Sequence, residues 1–412
     1  MVSSDLPIST THTPRDRGEL IEVLRDACSL RTPVYPIGGG TSLGYGLPAK
    51  VEGIGVSLAD LDLVEDYPAR DMTITVDAGI TMRRLAETLA TEQQRLPVDV
   101  PSAGDATLGG VVATDFSGPR RFGCGTMRDY VIGIEAVDGC GRPFAGGGRV
   151  VKNVAGYDFC KLLTGSLGTL GIINRLTLKL KPAPEQFALL MCPIESWDRA
   201  EQLLADLVDS PAAPTIIELV SRGGWEETLH VSGSSSTIAF LIVGLEGTAA
   251  EVDWMRDQLL SEWRERRVAG ATVIGEDAAP AVWNRLVEFP DEAECPLVLK
   301  ANVLPSVTTR MMAAFHEIDS ECVLQAHAGN GIVIARFAEF PAAGLSRVLV
   351  GSLMPIANAA DGNIVVLSNP SGAEMTHQSM WGGIQTRFEL MNRVKHEFDP
   401  YNLLNPDRFV YV

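Results

Sequence analysis

Between Val150 and Leu180 the chain passes from a loop holding Lys152 and Asn153, through a short helix-like run (Phe159 to Leu163), into Gly165-Ser166-Leu167-Gly168-Thr169-Leu170-Gly171. A strand follows in which Ile172, Leu176, Leu178 and Leu180 are apolar. Three glycines within seven residues let backbone approach another surface closely, because no Cβ intervenes. Ser166 and Thr169 can donate to a carbonyl or phosphate oxygen. An ordinary loop-to-strand junction has the same composition, but two earlier stretches share its character. Pro33 to Ile37 reads as a buried strand and runs into Gly38-Gly39-Gly40-Thr41-Ser42-Leu43-Gly44-Tyr45-Gly46. Successive glycine N–H groups can curl into an anion-binding nest, with two hydroxyls beside it, and a pyrophosphate suits such a nest. The other stretch, Pro101 to Thr114, has a small residue at nearly every position. A flat aromatic ring system needs a wall of that kind, since bulky side chains would block it.

The familiar nucleotide motifs do not explain these loops. There is no G-x-x-x-x-G-K-[ST], and no G-x-G-x-x-G opening a helix, which argues against a P-loop NTPase and a Rossmann domain. The 412 residues carry a net charge of −18, so a basic nucleic-acid-binding face and attraction to anionic membrane are both disfavoured. The seven cysteines are scattered without a C-x-x-C pair. That pattern fits reduced thiols in a cytoplasmic protein and lacks the short spacings of an iron–sulfur cluster. The N-terminus has no charged-then-apolar signal pattern. The longest apolar run, Ile238 to Leu245, is far too short to span a bilayer, so membrane contact is expected only through partners.

Along the chain, Thr13-Pro14 is read as opening a helix with Leu20, Ile21, Leu24 and Ala27 on one face. Strands are expected at 53–57, 73–77 and 130–137. A helix capped by Thr81 should turn Met82, Leu85, Ala86 and Leu89 inward. Lys181-Pro182-Ala183-Pro184 is read as a linker, giving domains at 1–182 and 183–380 and a C-terminal segment, 381–412, that packs back on the first. In the second half, strands at 187–192, 215–221, 237–244, 297–304, 322–326, 331–337 and 363–368 alternate with helices at 196–209, 248–267, 306–318 and 341–357. Helix 196–209 should bury Trp197, Ala200, Leu204 and Leu207, and helix 248–267 Val252, Met255, Leu259 and Trp263. Two split βαβ units forming one antiparallel sheet with helices on one face account for this order. The fold class is therefore α+β.

Assembled, PIGGGTSLGYG, then PSAGDATLGGVVATDFSGPRR, then GGRVVKNVAGYDFCKLLTGSLGTLGI resembles the FAD-linked oxidases of the vanillyl-alcohol-oxidase/PCMH type. GRVVKNVAGYD, His327-Ala328-Gly329-Asn330-Gly331 and the ending MNRVKHEFDPYNLLNPDRF are most similar to the GlcE-type FAD-binding subunit of bacterial glycolate oxidase. The resemblance implies a PCMH-type FAD-binding domain of two α+β subdomains, followed by a ferredoxin-like α+β cap. It assigns Pro36, Gly38, Gly39, Gly40, Thr41, Ser42 and Gly46 to the pyrophosphate loop. Pro101, Ser102, Gly104, Thr107, Leu108, Gly109 and Gly110 should run along FAD. Lys152, Asn153, Gly156, Gly168, Leu170, Gly171 and Ile172 should close over it, and Lys152 is a candidate to stabilise the reduced flavin anion. Thr41 stands where some relatives attach FAD to histidine, so non-covalent FAD is expected.

Catalytic chains that this one resembles carry H-x-G-D-G-N-x-H and a later E-H-G. Here Ile334 replaces the second histidine, Ser371 to His377 lacks E-H-G, and one imidazole makes no metal site. His327 is then either a hydrogen-bonded histidine at a strand turn or a general base. The resulting expectation is a FAD-binding subunit that works with a catalytic flavoprotein homologue and an iron–sulfur subunit in a glycolate oxidase-type complex, oxidising a small 2-hydroxy acid. One rival is a self-sufficient FAD-dependent D-2-hydroxy-acid dehydrogenase, with His327 as base and Arg120 or Arg121 holding the carboxylate. Another is a non-redox scaffold. An N-acetylenolpyruvoylglucosamine reductase shares the first-half fold, but its reducing-site residues are not evident and the second half here is too long.

Overall fold

The structure, a computed structural model, describes residues 6–149, 156–231, 236–291, 295–382 and 385–409. Lys152 and Asn153 lie outside the described residues. The chain divides into two compact units. One holds residues 1–117, 126–183 and 383–412, and the other holds 118–125 and 184–382.

The strands of the first unit are β1 (Ile8–His12), β2 (Val34–Ile37), β3 (Gly53–Ser57), β4 (Val64–Asp66), β5 (Thr73–Asp77), β6 (Gln94–Arg95), β7 (Val131–Val137), β8 (Pro143–Gly147), β9 (Ile172–Lys179) and β10 (Lys181–Pro182). A small parallel sheet has the order β1-β3-β2, and a larger antiparallel sheet has the order β4-β5-β9-β7-β8. The helix Arg17–Leu30 connects β1 to β2 and buries Leu20, Leu24 and Ala27 at helical spacing. Its cap is Asp16, whose carboxylate accepts the Glu19 N–H at 3.0 Å. The expected opening at Thr13-Pro14 is thus displaced, because β1 occupies the residues just before it. Ile74 and Val76, Ile134 and Ala136, and Leu176 and Leu178 are buried on three adjacent strands of the larger sheet, as period-two alternation requires. Lys181-Pro182 is a strand rather than a free linker, since β10 pairs with β6.

The second unit is built on β11 (Gln186–Ile194), β12 (Ile216–Ser221), β13 (Ala239–Gly247), β14 (Thr272–Val273), β15 (Leu297–Asn302), β16 (Val323–His327), β17 (Ile332–Phe337) and β18 (Asn363–Ser368). They form one sheet, β14-β11-β13-β12-β16-β17-β15-β18, in which every neighbouring pair is antiparallel. This is the expected α+β architecture with a separate antiparallel cap. Helices Trp197–Val208, Ala249–Glu265 and Thr308–Ile318 begin close to where their caps predict; Ser196 and Thr248 each accept an N–H three residues on.

Details differ from the sequence reading. Leu203 rather than Leu204 is buried, Met255 and Trp197 are half-buried, and Ala86 is exposed. The helix expected over 341–357 starts at Leu345 and widens to a π turn at Leu349–Leu353 before Met354–Asn358. Pro355 lacks an N–H and its ring would clash with the carbonyl four residues back, which a widened turn relieves. Strand β14 and the helix Ala279–Glu288 were not expected, the first being too short to show periodicity.

The helix Gln385–Phe398 and the tail after it belong to the first unit. Tail and β2 exchange backbone bonds: Val34 N–H to Leu403 O at 2.7 Å and Asn405 N–H to Val34 O at 2.9 Å.

Candidate functional site

In the first unit the three glycine stretches converge. Gly39 presses on the second stretch so closely that a Cβ there would lie 1.6 Å from the Asp105 carbonyl oxygen, and Gly38 faces Thr107 in the same way. No other residue type fits at Gly39. Thr107 caps the helix Leu108–Thr114, bringing Gly109 against Ala78 and leaving Gly110 near Gly38. The third stretch bonds to the second through Gly165 N–H to Val112 O (2.9 Å) and Leu167 N–H to Ala113 O (2.8 Å). Gly168 rests against Pro36 and Asn405. Gly46 lies against the Arg408 backbone, and Gly104 against the Arg83 guanidinium. Leu170, Gly171 and Ile172 lead into β9, with Gly171 beside Val137 O and Phe144. Gly40 and Gly156 take positive φ with no neighbour within 4 Å of an added Cβ. Thr41 is half-buried, Ser42 is exposed, and Pro101 and Ser102 are half-buried.

The tail fixes these loops from behind. Lys395, fully buried, gives its ammonium to Thr169 O (2.9 Å), Leu404 O (2.9 Å) and the Asp399 carboxylate (2.5 Å). Arg408 reaches the carbonyls of Leu43, Tyr45 and Leu47, and Asn405 Nδ2 donates to Leu167 O at 2.8 Å. Burial first, and then the Asp115 carboxylate, push the Tyr45 phenol up to about 12, so it remains a neutral donor within the first stretch.

Whether these loops suit FAD can be tested on their own atoms. The Ser117 hydroxyl, just after the second stretch, and the Ser166 hydroxyl, within the third, are 6% and 4% exposed and have no hydrogen-bond partner. Buried hydroxyls are ordinarily paired, and a nucleotide ligand would offer acceptors to both. Small residues line the same loops. The residues therefore fit the cofactor.

The second unit carries His327 at the end of β16. It is 4% exposed, and its Nδ1 lies 2.7 Å from Glu218 Oε1 on the facing position of β12. Glu218 is fully buried and accepts a second bond from Gln325 Nε2 at 2.7 Å, while Gln325 also donates to Leu286 O. A carboxylate in this position makes Nδ1 the donor and leaves Nε2 with the lone pair. The segment Gly118–Gly125, counted with this unit, packs beside that turn. Gly123 N–H donates to Thr215 O at 2.9 Å, and a Cβ on Gly329 would lie 2.3 Å from the Phe122 ring.

That segment carries both candidate arginines. Arg120 Nε bonds Glu246 Oε1 at 2.6 Å, and its guanidinium lies 4.0 Å from the Trp283 ring centroid. Its charge is thus matched inside the cap. Arg121 is half-buried in the adjoining helical turn Arg121–Cys124. Glu218, Gln325, Tyr45 and Lys395 were missed in the sequence, because a single polar residue, whether in an apolar strand or among surface charges, shows nothing of its partner across the fold. Among the described residues no three His, Cys, Asp or Glu side chains group as metal ligands, and no helix is long and apolar enough to cross a membrane.

Comparison with known proteins agrees with this geometry. The family described as FAD binding domain matches residues 9–145, and that described as FAD linked oxidases, C-terminal domain, matches 381–409. D-lactate dehydrogenase of Archaeoglobus fulgidus is 29% identical over 96% of this chain and 90% of its own length. Glycolate oxidase subunit GlcD of Bacillus subtilis is 31% identical over 58% of this chain, which spans only 52% of that relative. Glycolate oxidase subunit GlcE of Escherichia coli is 34% identical, but over 40% of this chain and 47% of its own length. The specific likeness to GlcE therefore rests on a minority of the chain. An alkyldihydroxyacetonephosphate synthase structure superposes with a TM-score of 0.69 over 96% of this chain and 75% of its own, at 18% identity, a likeness of fold. The chain thus matches the FAD binding domain and the C-terminal domain of FAD linked oxidases; it is a flavoprotein oxidoreductase acting on CH–OH groups and binds its FAD without a covalent bond.

Proposed function

We propose that this chain is a self-contained FAD-dependent D-2-hydroxy-acid dehydrogenase, acting on a small substrate of the D-lactate type. The observation that carries the proposal is the buried Glu218–His327 pair. Supporting it, the similarity to D-lactate dehydrogenase extends through the cap that holds this pair.

His327 is the general base. Its Nδ1–H is held by Glu218, so Nε2 accepts the proton of the substrate hydroxyl, and the Glu218 carboxylate stabilises the imidazolium that results. Arg121, next to Phe122 in the segment packed beside the His327 turn, holds the substrate carboxylate. FAD, when bound, takes up the hydride equivalent from the hydroxyl-bearing carbon. Pro36, Gly38, Gly39, Gly40, Thr41, Ser42 and Gly46 hold its pyrophosphate. The stretch from Pro101 to Gly110 and the third stretch, Lys152 and Asn153 included by resemblance, enclose the remainder, with Ser117 and Ser166 as hydroxyl donors. Replacing His327 with Gln keeps a polar side chain of similar reach but removes the base. Flavin reduction by D-lactate is expected to slow by about 10²- to 10⁴-fold with FAD content unchanged. A rate within a few-fold of wild type would show that His327 is a structural histidine.

A second reading has one observation in its favour. Ile334 stands where similar catalytic chains carry a second histidine. In that reading the chain is the FAD-binding subunit of a glycolate oxidase-type assembly with a catalytic flavoprotein homologue and an iron–sulfur subunit, and its flavin is reduced only in their presence.

A further inference from the structure

All seven cysteines are free thiols, and the fold sets two of them side by side. Cys28 lies in the last turn of the helix Arg17–Leu30, and Cys140 lies in the turn between β7 and β8. Packing brings these elements together. Gly141 lies so close to the helix that a Cβ would stand 2.5 Å from Arg25 Cγ and 3.0 Å from Ile21 O. The turn is held rigidly: Asp138 Oδ1 accepts the N–H groups of Cys140 and Arg142, each at 2.9 Å, and Oδ2 accepts Arg142 Nε at 2.6 Å. Ile21, Arg25 and Cys28 share one face of the helix, so the same packing sets the Cys28 thiol beside Cys140. Burial, then the neighbouring Cys28 thiol, push the Cys140 thiol up to about 11, so Cys140 stands as the protonated partner. Both residues are half-buried, whereas Cys160, Cys192 and Cys322 are buried.

We propose that Cys28 and Cys140 are a reversible redox pair that closes to a disulfide when the protein meets hydrogen peroxide. The Cys28 sulfur attacks one peroxide oxygen, the O–O bond breaks, and a sulfenic acid and one water form. The Cys140 sulfur then attacks the sulfenic sulfur, an S–S bond forms, and the second water leaves. Two thiols have lost two protons and two electrons, and one peroxide has become two waters. The pair combines proximity, partial exposure and a fixed turn. The bond would tie the helix packed on the small parallel sheet to an edge hairpin of the larger sheet. The same turn seats the C-terminal segment, through Gly139 N–H to Phe398 O at 3.0 Å and Arg142 Nη2 to Glu397 O at 3.2 Å. The pair would thus set how firmly the parts of the FAD-binding unit are held together, and it does not depend on which substrate the enzyme oxidises.

The test uses the full-length holoprotein. It is reduced with dithiothreitol, freed of the reductant, treated with hydrogen peroxide, alkylated and digested. The expected product is a linked peptide pair containing Cys28 and Cys140, lighter by two hydrogens and separated again by dithiothreitol. Tm should rise by about 5 °C on oxidation, since the bond closes a long loop. Cys28→Ser and Cys140→Ser should each abolish the linked pair and the rise in Tm. Sulfinic or sulfonic acid at either position without a linked pair, or an unchanged Tm rise in Cys28→Ser, would overturn the proposal. Should a serine variant fail to fold, the wild-type peptide masses decide the matter alone.

Discussion

Lys395 shows how much one side chain can hold. Its ammonium has three acceptors from three places in the chain: the third glycine stretch, its own helix end and the tail. Burial, the largest influence, pushes its pKa down, and the Asp399 carboxylate opposes this. A buried charge of this kind is tolerable only when paired, and removing one partner strands the other. Lys395→Met should therefore cost about 3–5 kcal/mol of stability in urea unfolding. A loss below about 1 kcal/mol would mean that Asp399 finds another partner. His316 allows a test with pH. Its ring lies 5.8 Å from Trp197, Nε2 meets Cys322 O at 3.2 Å, and burial first of all pushes its pKa below 6.5. The unfolded chain then binds the proton more readily, so stability should fall as pH drops from about 6.5 towards the folded value, and level off below it. His316→Gln should flatten that part of the stability–pH curve. A curve of unchanged slope would exclude His316 as its source.

Among the elements, the C-terminal segment has the clearest functional consequence. Arg408 gathers three carbonyls of the first glycine stretch and its exit, and Leu47 N–H returns a bond to Arg408 O at 2.9 Å. A loop that must present its N–H groups to a pyrophosphate gains from having its carbonyls held elsewhere. Arg408→Ala should weaken FAD binding about tenfold, or about 1.4 kcal/mol, in a flavin titration of the apoprotein. Unchanged affinity would assign the tail a purely structural role. The convergence of the loops was legible in their glycines, because positions such as Gly38 and Gly39 admit a close approach that any other residue type would block. The clamp behind them was not. Nothing local distinguishes Lys395 or Arg408 from the solvated charges around them, and their partners lie hundreds of positions away, as with Lys395 and Thr169.

At the scale of the whole molecule, the α+β class and most strands of the cap could be read from alternation and caps. The chain's excursion through Gly118–Gly125 into the second unit could not, since a polar turn gives no sign of where it packs. The same is true of the candidate base. His327 stood out by resemblance, but Glu218 is a single carboxylate in the apolar strand Ile216–Ser221 and becomes a partner only when β12 and β16 pair. That pairing underlies the central claim, that one chain both binds FAD and oxidises its substrate. The most direct test is anaerobic: purify the chain alone, confirm its flavin absorption band, add D-lactate and then, separately, L-lactate and glycolate. Bleaching by D-lactate in the absence of any other protein is the predicted result. A band that persists with every 2-hydroxy acid, and bleaches only after partner subunits are added, would contradict the account and favour an assembly in which this chain is one flavin-bearing part.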